Sequence, residues 1–565
     1  MPGVSFQTVL VFAAALSYPF AKIGESTYPS VFCQVYPTCL LLWAVYSFIL
    51  YPNIFSPLRH LPTVDGNTWW SRQSLRLLSE PRGVPQSDWV GEVAHNGLVR
   101  YRTAINSERI ILAAPEALAE VLTTKCYQFR KPGVIVTALK PIAGHGLLLV
   151  EGDQHKLQRR TLLPAFAYRH IKDLYGLIWE ISSDAVTSLT EAVSAASEAR
   201  KPYITDMNEW ASKVTLDIIF VAGMGQSLDS VRNQDANYTA LQRIYKMVFT
   251  QQRQDFIMFV LRMWILPGWI LPYVPLKRNI ELGKAAQALR EICRQLIRKK
   301  KSDLESEVAD KTEKDILTVA LSYGGFTEDE LIEQLLTFMV AGHETTATAL
   351  TWAVYALSKN LDMQTRLRDE IRTHLRSPSS PKSTEDLAAV MDNNMPYLHA
   401  ICQEVLRYFA PVPVTFREAA VDTSITGTPI PAGTQIAICP RATNRDVSLW
   451  GDDAHVFNPN RYLSQPKQTP TDPLDEDGHG ESSKKHAGTR SNYATMTFLH
   501  GPRSCIGQTF SKSELAILIA TLVGRFEFAL ADESFRDETK LKLRRGATNR
   551  PIDGLKVKIT HVGGW

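Results

Sequence analysis

One short stretch near the end of the chain places a cysteine between glycines and beside an arginine. Gly501 and Arg503 precede Cys505, Gly507 follows it, and an apolar helical pattern begins directly afterwards. The start of a helix offers free N–H groups and the positive end of its dipole, so we expect this position to favour a thiolate. A lone thiolate there is either a nucleophile, which needs a histidine base, or a metal ligand.

A second group of candidate residues lies inside a long apolar pattern. Thr327 and Glu330 form a capping box that predicts the start of a buried helix. This helix carries the sequence Ala-Gly-His-Glu-Thr-Thr at 341–346. A buried acid and two hydroxyls are costly unless they are paired or used, and glycine indicates the close approach of another group. A threonine bonded back to the carbonyl four residues earlier is the structural alternative.

Charged residues recur at helical spacing in two other places. Glu404 and Arg407 are three apart on one predicted helix face, and apolar neighbours indicate that this pair is buried. His155 and Arg159 are four apart, so two N–H donors share one face. A solvated basic face is the alternative interpretation of the second pair.

Composition excludes several classes of protein. A net charge of +4 over 565 residues is too mild to indicate nucleic-acid binding. Seven cysteines, an odd number without paired spacing, indicate reduced thiols rather than a disulfide framework.

The first 55 residues are predicted to form a membrane anchor. No charged side chain occurs in residues 1–21 or 26–58. The second run predicts one span at about 31–51, since a helix needs about 20 residues to cross a bilayer. The first run, at about 6–21, is either a second, marginal helix or an interfacial one. A cleaved signal peptide is disfavoured, because no basic segment precedes the apolar run.

Residues 56–565 are predicted to form one catalytic domain. Two short strands, at 98–101 and 109–113, flank a turn, and an apolar loop is predicted at 131–149. A polar insert at about 464–492 has too little apolar surface to pack and is predicted to be mobile.

The pattern Phe498-x-x-Gly501-x-Arg503-x-Cys505-x-Gly507 resembles the haem-ligand loop of the cytochrome P-450 monooxygenases. The segment at 341–346 is similar to the oxygen-binding helix of that family, and Glu404-x-x-Arg407 to its Glu-x-x-Arg signature. The resemblance implies a mainly α fold with small β-sheets, the cytochrome P-450 fold, preceded here by the transmembrane anchor.

The resemblance also implies a cofactor and roles for particular residues. Cys505 would be the axial thiolate of haem b, while Thr345 and Glu344 would relay protons during dioxygen activation. The other residues implied to contact the haem are Arg503, Phe498, Gly501, Gly507, Arg417, Arg159, His155, Ala341 and Gly342. The family more usually has tryptophan at the position of His155. Glu404, Arg407 and Arg461 would form a buried structural network.

Electrons would come from NADPH through a cytochrome P-450 reductase, with cytochrome b5 as an open alternative donor. The chain is most similar to membrane-anchored fungal members of secondary metabolism, which implies hydroxylation or another oxidation of a hydrophobic terpenoid or polyketide. The expected location is the endoplasmic reticulum membrane with the catalytic domain facing the cytosol. A reductase-independent isomerase or dehydratase and a non-catalytic haem sensor are the alternatives.

Overall fold

The computed structural model describes residues 6–24, 27–66, 72–227, 277–305, 315–375, 384–463, 491–544 and 546–565. The chain divides into two compact units. The first unit comprises Met1–Pro132, Val414–Thr443 and His500–Pro502, and the second comprises Gly133–Pro413, Asn444–Leu499 and Arg503–Trp565. The predicted insert at 464–492 lies outside the described residues except for its last two positions.

Helices dominate the described chain, as the sequence predicts. In chain order they are α1 (Phe6–Ile23), α2 (Tyr28–Val45), α3 (Ser74–Ser79), α4 (Val84–Glu92), α5 (Pro115–Ala119), α6 (Gly133–Ala143), α7 (Gly152–Leu162), α8 (Tyr168–Asp173), α9 (Tyr175–Glu198), α10 (Met207–Met224), α11 (Lys277–Glu305), α12 (Ile316–Tyr323), α13 (Glu328–Lys359), α14 (Leu361–His374), α15 (Thr384–Asn393), α16 (Pro396–Tyr408), α17 (Pro440–Thr443), α18 (Val447–Trp450) and α19 (Gln508–Arg525). Two π-helical segments, Tyr46–Phe55 and Glu120–Thr124, extend α2 and α5.

The strands are short and form small sheets. They are β1 (Leu98–Arg102), β2 (Glu108–Leu112), β3 (Phe129–Arg130), β4 (Tyr203–Asp206), β5 (Thr415–Ala419), β6 (Thr423–Ile425), β7 (Thr428–Ile430), β8 (Gln435–Ile438), β9 (Phe526–Leu530) and β10 (Lys556–His561). The described 3-10 turns are Pro57–His60, Ala104–Asn106, Leu163–Phe166, Pro459–Tyr462, Asn492–Ala494, Gly501–Arg503, Glu533–Arg536 and Glu538–Lys540.

The first unit is built on a five-stranded sheet with the strand order β1-β2-β8-β5-β3. The predicted hairpin is present as antiparallel β1 and β2, with Leu98 opposite Leu112. Asn106 turns the chain between them at a φ of 53°, in the left-handed region that asparagine tolerates better than most residues. β2 pairs in parallel with β8, and Trp89 and Tyr101 pack beside the sheet with ring centroids 5.1 Å apart.

The N-terminal residues of the first unit form two helices that pack on each other. Ala13 and Ser17 of α1 are buried, and the Tyr28 hydroxyl at the start of α2 donates to the carbonyl of Ala14 at 3.1 Å. Residues Tyr28–Phe55 form a continuous helix that is long and apolar enough to cross a membrane. α1 is apolar but shorter, so the structure provides one candidate span and a second helix beside it.

The second unit is organised around α13, a helix of 32 residues that is buried along most of its length. The predicted capping box is present: the Thr327 hydroxyl accepts from the Glu330 N–H, and the Glu330 carboxylate accepts from the Thr327 N–H. α13 packs against α10, α11 and α19. Trp352 stacks on Phe409 with centroids 4.5 Å apart, which fixes α13 against the end of α16.

A three-stranded sheet with the order β4-β10-β9 completes the second unit. Its strands β10 and β9 pair antiparallel, with Val557 opposite Leu530. The prediction of a loop at 131–149 is wrong in part, because residues 133–143 form helix α6. Pro132 precedes the first helical residue, where proline favours a helix start, and Gly144 ends the helix at a φ of 68°. Proline and glycine are common in loops, so the sequence predicted a loop although Pro132 and Gly144 flank a helix.

Candidate active site

The Cys505 thiol lies in a tight loop immediately before α19. The Cys505 N–H donates to the carbonyl of Phe498 at 2.9 Å, which closes the loop between the two residues. All seven cysteines of the chain are free, as predicted, and Cys505 is one of the two that are exposed. An exposed cysteine is uncommon, because free cysteine is among the most buried residue types.

The electrostatic surroundings of the thiol differ from those expected from the sequence. Burial raises the pKa of Cys505, and the Gly507 N–H and the Arg159 guanidinium lower it only in part. Desolvation of the thiol therefore opposes the thiolate that the helix start favours. A bound metal ion would deprotonate the thiol, so this site suits a ligand better than a free nucleophile.

The two glycines of the loop differ in whether their surroundings require a residue without a side chain. A Cβ on Gly501 would lie 2.1 Å from the carbonyl oxygen of Leu122, and the residue has a φ of 75°. Gly501 is therefore required by the close approach of the Glu120–Thr124 segment. A Cβ on Gly507 would be 3.8 Å from Phe166, an ordinary contact, so nothing in the described chain requires glycine there. Leu499 occupies the left-handed region at a φ of 57°, which strains the loop by about 1 kcal/mol or more.

Two basic residues of the second unit contact the loop or its neighbours. Arg159, on α7, donates to the Ser504 carbonyl at 2.7 Å and to its hydroxyl at 3.2 Å. Arg503 pairs with Glu151, at the start of α7, at 2.6 Å. His155 is buried on the same helix. Phe498 is half-buried, with the Lys512 ammonium 5.5 Å from its ring centroid.

Arg417, the remaining predicted haem contact, belongs to the first unit. It is buried in β5, and its guanidinium donates to the carbonyl of Phe416 at 2.9 Å.

The residues of the segment 341–346 lie on several sides of α13, so some are accessible and others pack against neighbouring helices. Ala341 is exposed and Thr345 is partly exposed, although the helix around them is mostly buried, so this side of the helix is accessible. The Thr345 hydroxyl donates to the Ala341 carbonyl at 2.7 Å, which is the backbone bond that the structural alternative expects. Gly342 faces α10 instead: a Cβ there would be 2.8 Å from the Ile219 side chain.

Glu344 is paired with residues that sequence reasoning did not identify. Its Oε1 accepts a hydrogen bond from the Thr548 hydroxyl at 2.9 Å and lies 3.2 Å from Nη2 of Arg550. Nη1 of Arg544 is 3.9 Å from the same oxygen. The carboxylate is therefore compensated by two guanidinium groups from the end of the chain.

Glu514 is a second acid that sequence reasoning missed. It lies on α19, is fully buried, and neither carboxylate oxygen makes a hydrogen bond of normal geometry. Burial raises its pKa well above the usual range, and the nearby Thr346 hydroxyl lowers it only in part. Burial therefore favours the protonated form of Glu514 on α19.

A charged network of the second unit holds the segment before the cysteine loop. Glu404 pairs with Arg407 at 2.7 Å and with Arg461 at 3.3 Å, and both carboxylate and guanidinium of the first pair are fully buried. Arg407 also donates to the carbonyls of Asn444 and Ala454. The Asn444 amide in turn donates to the Thr497 hydroxyl at 2.9 Å, one residue before Phe498. The network thus connects α16 to the loop.

Cys505 would be a single protein ligand, so this site fits a metal whose other ligands belong to a cofactor. Among the described residues no group of three or more His, Cys, Asp or Glu side chains could hold a metal ion. α13, with its accessible Ala341 and Thr345, packs against α19, whose first residue follows Cys505 by three positions. A single thiolate, an accessible helix side and nearby guanidinium groups are what an acidic metalloporphyrin requires.

The chain belongs to the cytochrome P450 family, whose family model matches residues 101–555. It is similar to several fungal enzymes. Cytochrome P450 monooxygenase FUM15 of Gibberella moniliformis is 46% identical over 94% of this chain and 93% of its own. Cytochrome P450 monooxygenase ALT8 of Alternaria alternata is 44% identical over 98% and 99%, and cytochrome P450 monooxygenase sphH of Aspergillus fumigatus is 38% identical over 96% and 97%.

The predicted resemblance, fold class and enzyme class are thereby confirmed. The protein is a cytochrome P450 monooxygenase. The alternatives of an isomerase or a non-catalytic sensor do not agree with the names of these relatives.

Proposed function

We propose that the protein takes electrons from an NADPH-cytochrome P-450 reductase and inserts one oxygen atom of dioxygen into a hydrophobic intermediate of fungal secondary metabolism, a terpenoid or a polyketide. The reaction RH + O₂ + NADPH + H⁺ → ROH + H₂O + NADP⁺ balances in atoms and electrons. The observation that carries the proposal is the exposed Cys505 in the loop directly before α19, the helix that packs against α13.

Haem b would be held by the residues that the sequence resemblance predicts to contact it. Cys505 would ligate the iron, and Arg503, Arg159, His155 and Arg417 would donate to the propionates. Phe498, Gly501, Gly507 and Ala341 would border the ring, while Gly342 would contribute indirectly, because its lack of a Cβ lets α13 pack closely on Ile219 of α10. When bound, the haem supplies the chemistry of dioxygen activation. Gly507 is the glycine best suited to this role, because the described chain leaves space beside it.

The protein groups would move protons and exclude water. Thr345 lies on the accessible side of α13, where its hydroxyl can exchange the Ala341 carbonyl for another acceptor. Glu344, the adjacent residue, would supply protons to it. Glu404, Arg407 and Arg461 would act through structure alone, by fixing the segment that leads to the cysteine loop.

The electron donor would dock on the exposed face of α7. Lys156 and Arg160 are exposed there, and Lys156 carries an ion pair with the exposed Asp153 at 2.7 Å. Lys512 is less suited to this role, because burial lowers its pKa. Residues 1–55 would anchor the protein in the endoplasmic reticulum membrane, with residues 56–565 in the cytosol as one catalytic domain.

The test is reconstitution of the full-length protein with a reductase in microsomes. We expect NADPH- and dioxygen-dependent conversion of terpenoid or polyketide extracts to products that carry one atom from ¹⁸O₂. Incorporation from water instead, or conversion without NADPH, would contradict the proposal. Cys505→Ala is the matched inactive control.

A further inference from the structure

The Glu344 carboxylate is fixed from one side by the end of the chain. We define the C-terminal turn as residues 543–551 apart from 545. Three of its side chains, those of Arg544, Thr548 and Arg550, converge on Oε1 of Glu344 at 3.9, 2.9 and 3.2 Å. The Glu344 side chain is only 5% exposed, so these contacts form in a desolvated site where they are strong.

The C-terminal turn is itself held in place. The Arg544 N–H donates to the Arg550 carbonyl at 2.8 Å, which closes the turn. The Trp352 indole of α13 donates to the Asn549 carbonyl at 2.7 Å. The second guanidinium nitrogen of Arg550 donates to the Ser212 hydroxyl of α10 at 3.1 Å. Arg550 therefore reaches Glu344 from a position that α10 and α13 together determine.

The two proposed relay groups, Glu344 and Thr345, point in different directions. They are adjacent in sequence and so lie about 100° apart around the helix. Thr345 bonds to the backbone on the accessible side, while Glu344 is directed to the C-terminal turn. The position of the acid is thus set by the turn and not by its hydroxyl partner.

We propose that Arg550 and Thr548 are positioning residues for the relay acid Glu344. The inference rests on the proposed role of Glu344. Arg544 contributes charge at a greater distance. Burial, and then the neighbouring Arg550, lower its pKa to about 10, while Glu344 raises it.

The experiment measures how reduced dioxygen divides between hydrogen peroxide and water in the holoenzyme with reductase and NADPH. Peroxide formation, O₂ + NADPH + H⁺ → H₂O₂ + NADP⁺, uses one NADPH per dioxygen. Water formation, O₂ + 2 NADPH + 2 H⁺ → 2 H₂O + 2 NADP⁺, uses two NADPH per dioxygen and needs more protons than peroxide formation does. The measured ratio requires no added organic substrate.

We expect Arg550→Met and Thr548→Val to raise the peroxide-to-water ratio by at least about threefold, since general acid catalysis is worth about 10²–10⁴-fold and only part of it is lost. Arg550→Lys keeps the charge and should restore part of the wild-type ratio. Arg368→Met is the control, because Arg368 is buried at least as deeply as Arg550 and, among the described residues, donates to the carbonyls of Val523 and Phe526 rather than to a carboxylate.

Two outcomes distinguish the positioning role of Arg550 and Thr548 from the relay role of Glu344. If Glu344→Gln raises peroxide but Arg550→Met and Thr548→Val do not, the positioning role is overturned and the relay stands. If Glu344→Gln itself leaves the ratio unchanged, the proposed relay fails.

Thermal unfolding gives a second measurement that does not depend on turnover. The effects of Glu344→Gln and Arg550→Met on Tm should be non-additive, and additive effects would contradict the contact between Glu344 and Arg550.

Discussion

The guanidinium of Arg159 donates a 2.7 Å hydrogen bond to the carbonyl of Ser504, the residue that directly precedes the Cys505 thiol. A second bond, of 3.2 Å, reaches the Ser504 hydroxyl. Two bonds from one planar group to one residue fix the loop more firmly than a single point charge could. α7 therefore determines where the thiol lies.

Arg159→Met is expected to accelerate haem loss several-fold. The substitution keeps most of the aliphatic length but removes both bonds to Ser504 and the nearby positive charge. The rate of haem transfer to apomyoglobin measures the effect. Arg160→Met, at the adjacent exposed position, is the control and should leave the rate unchanged. Equal rates in the two variants would contradict this role.

Glu404→Gln is expected to lower the free energy of unfolding by about 3–5 kcal/mol, because it leaves the buried Arg407 guanidinium without its carboxylate and leaves Arg461 with Asp453 alone. Urea titration of the holoenzyme measures this loss. Glu533→Gln breaks an exposed pair with Arg536 instead and should cost about 1 kcal/mol or less. A similar small loss for both variants would show that the buried network does not stabilise the fold.

Glu514 makes stability depend on pH in a defined direction. Its pKa is raised in the folded protein, so the folded state holds the proton while the unfolded carboxyl releases it near its ordinary pKa. This contribution is complete below the unfolded pKa and is lost as the pH rises towards the folded pKa.

Glu514→Gln removes the titrating group and keeps the shape of the neutral acid. We expect the variant to equal or exceed the wild type in stability at neutral and higher pH. Its Tm should decline less than that of the wild type as the pH rises above the unfolded carboxyl pKa of about 4.3. Parallel pH profiles for the two proteins would refute a protonated Glu514.

The glycines at 501 and 507 should respond differently to alanine. Gly501→Ala places a Cβ 2.1 Å from the Leu122 oxygen and should prevent normal folding of the loop. Gly507→Ala has ordinary space within the protein and should fold, but it should perturb the haem spectrum if the ring borders this position. Normal expression and spectra for Gly501→Ala would contradict the packing argument.

Local sequence signals predicted the parts of the site that lie close together in the chain. The cysteine loop, the capping box at Thr327 and the pairing of Glu404 with Arg407 each depend on spacing within one turn or one helix. The contact between Glu344 and Thr548 spans 204 residues, and no local periodicity encodes such a contact. Glu514 could not be identified from the sequence, because the apolar pattern around an acid does not show whether its side chain faces the core or the solvent.

Helix α6 and the pKa of Cys505 could not be predicted for related reasons. Proline and glycine mark both loops and helix ends, so the residues that bound α6 looked like those of a loop. The pKa of the thiol depends on desolvation by elements far away in sequence, which opposes the effect of the helix start that the sequence does reveal.

The central claim is that the sulfur of Cys505 ligates the haem iron, and the reduced carbon-monoxide spectrum tests it most directly. The wild-type holoprotein should show the spectrum of a thiolate-ligated haem, and so should Cys402→Ala, whose thiol is buried in α16. Cys505→Ala should lose that spectrum. A Cys505→Ala protein that keeps the wild-type spectrum would contradict the account.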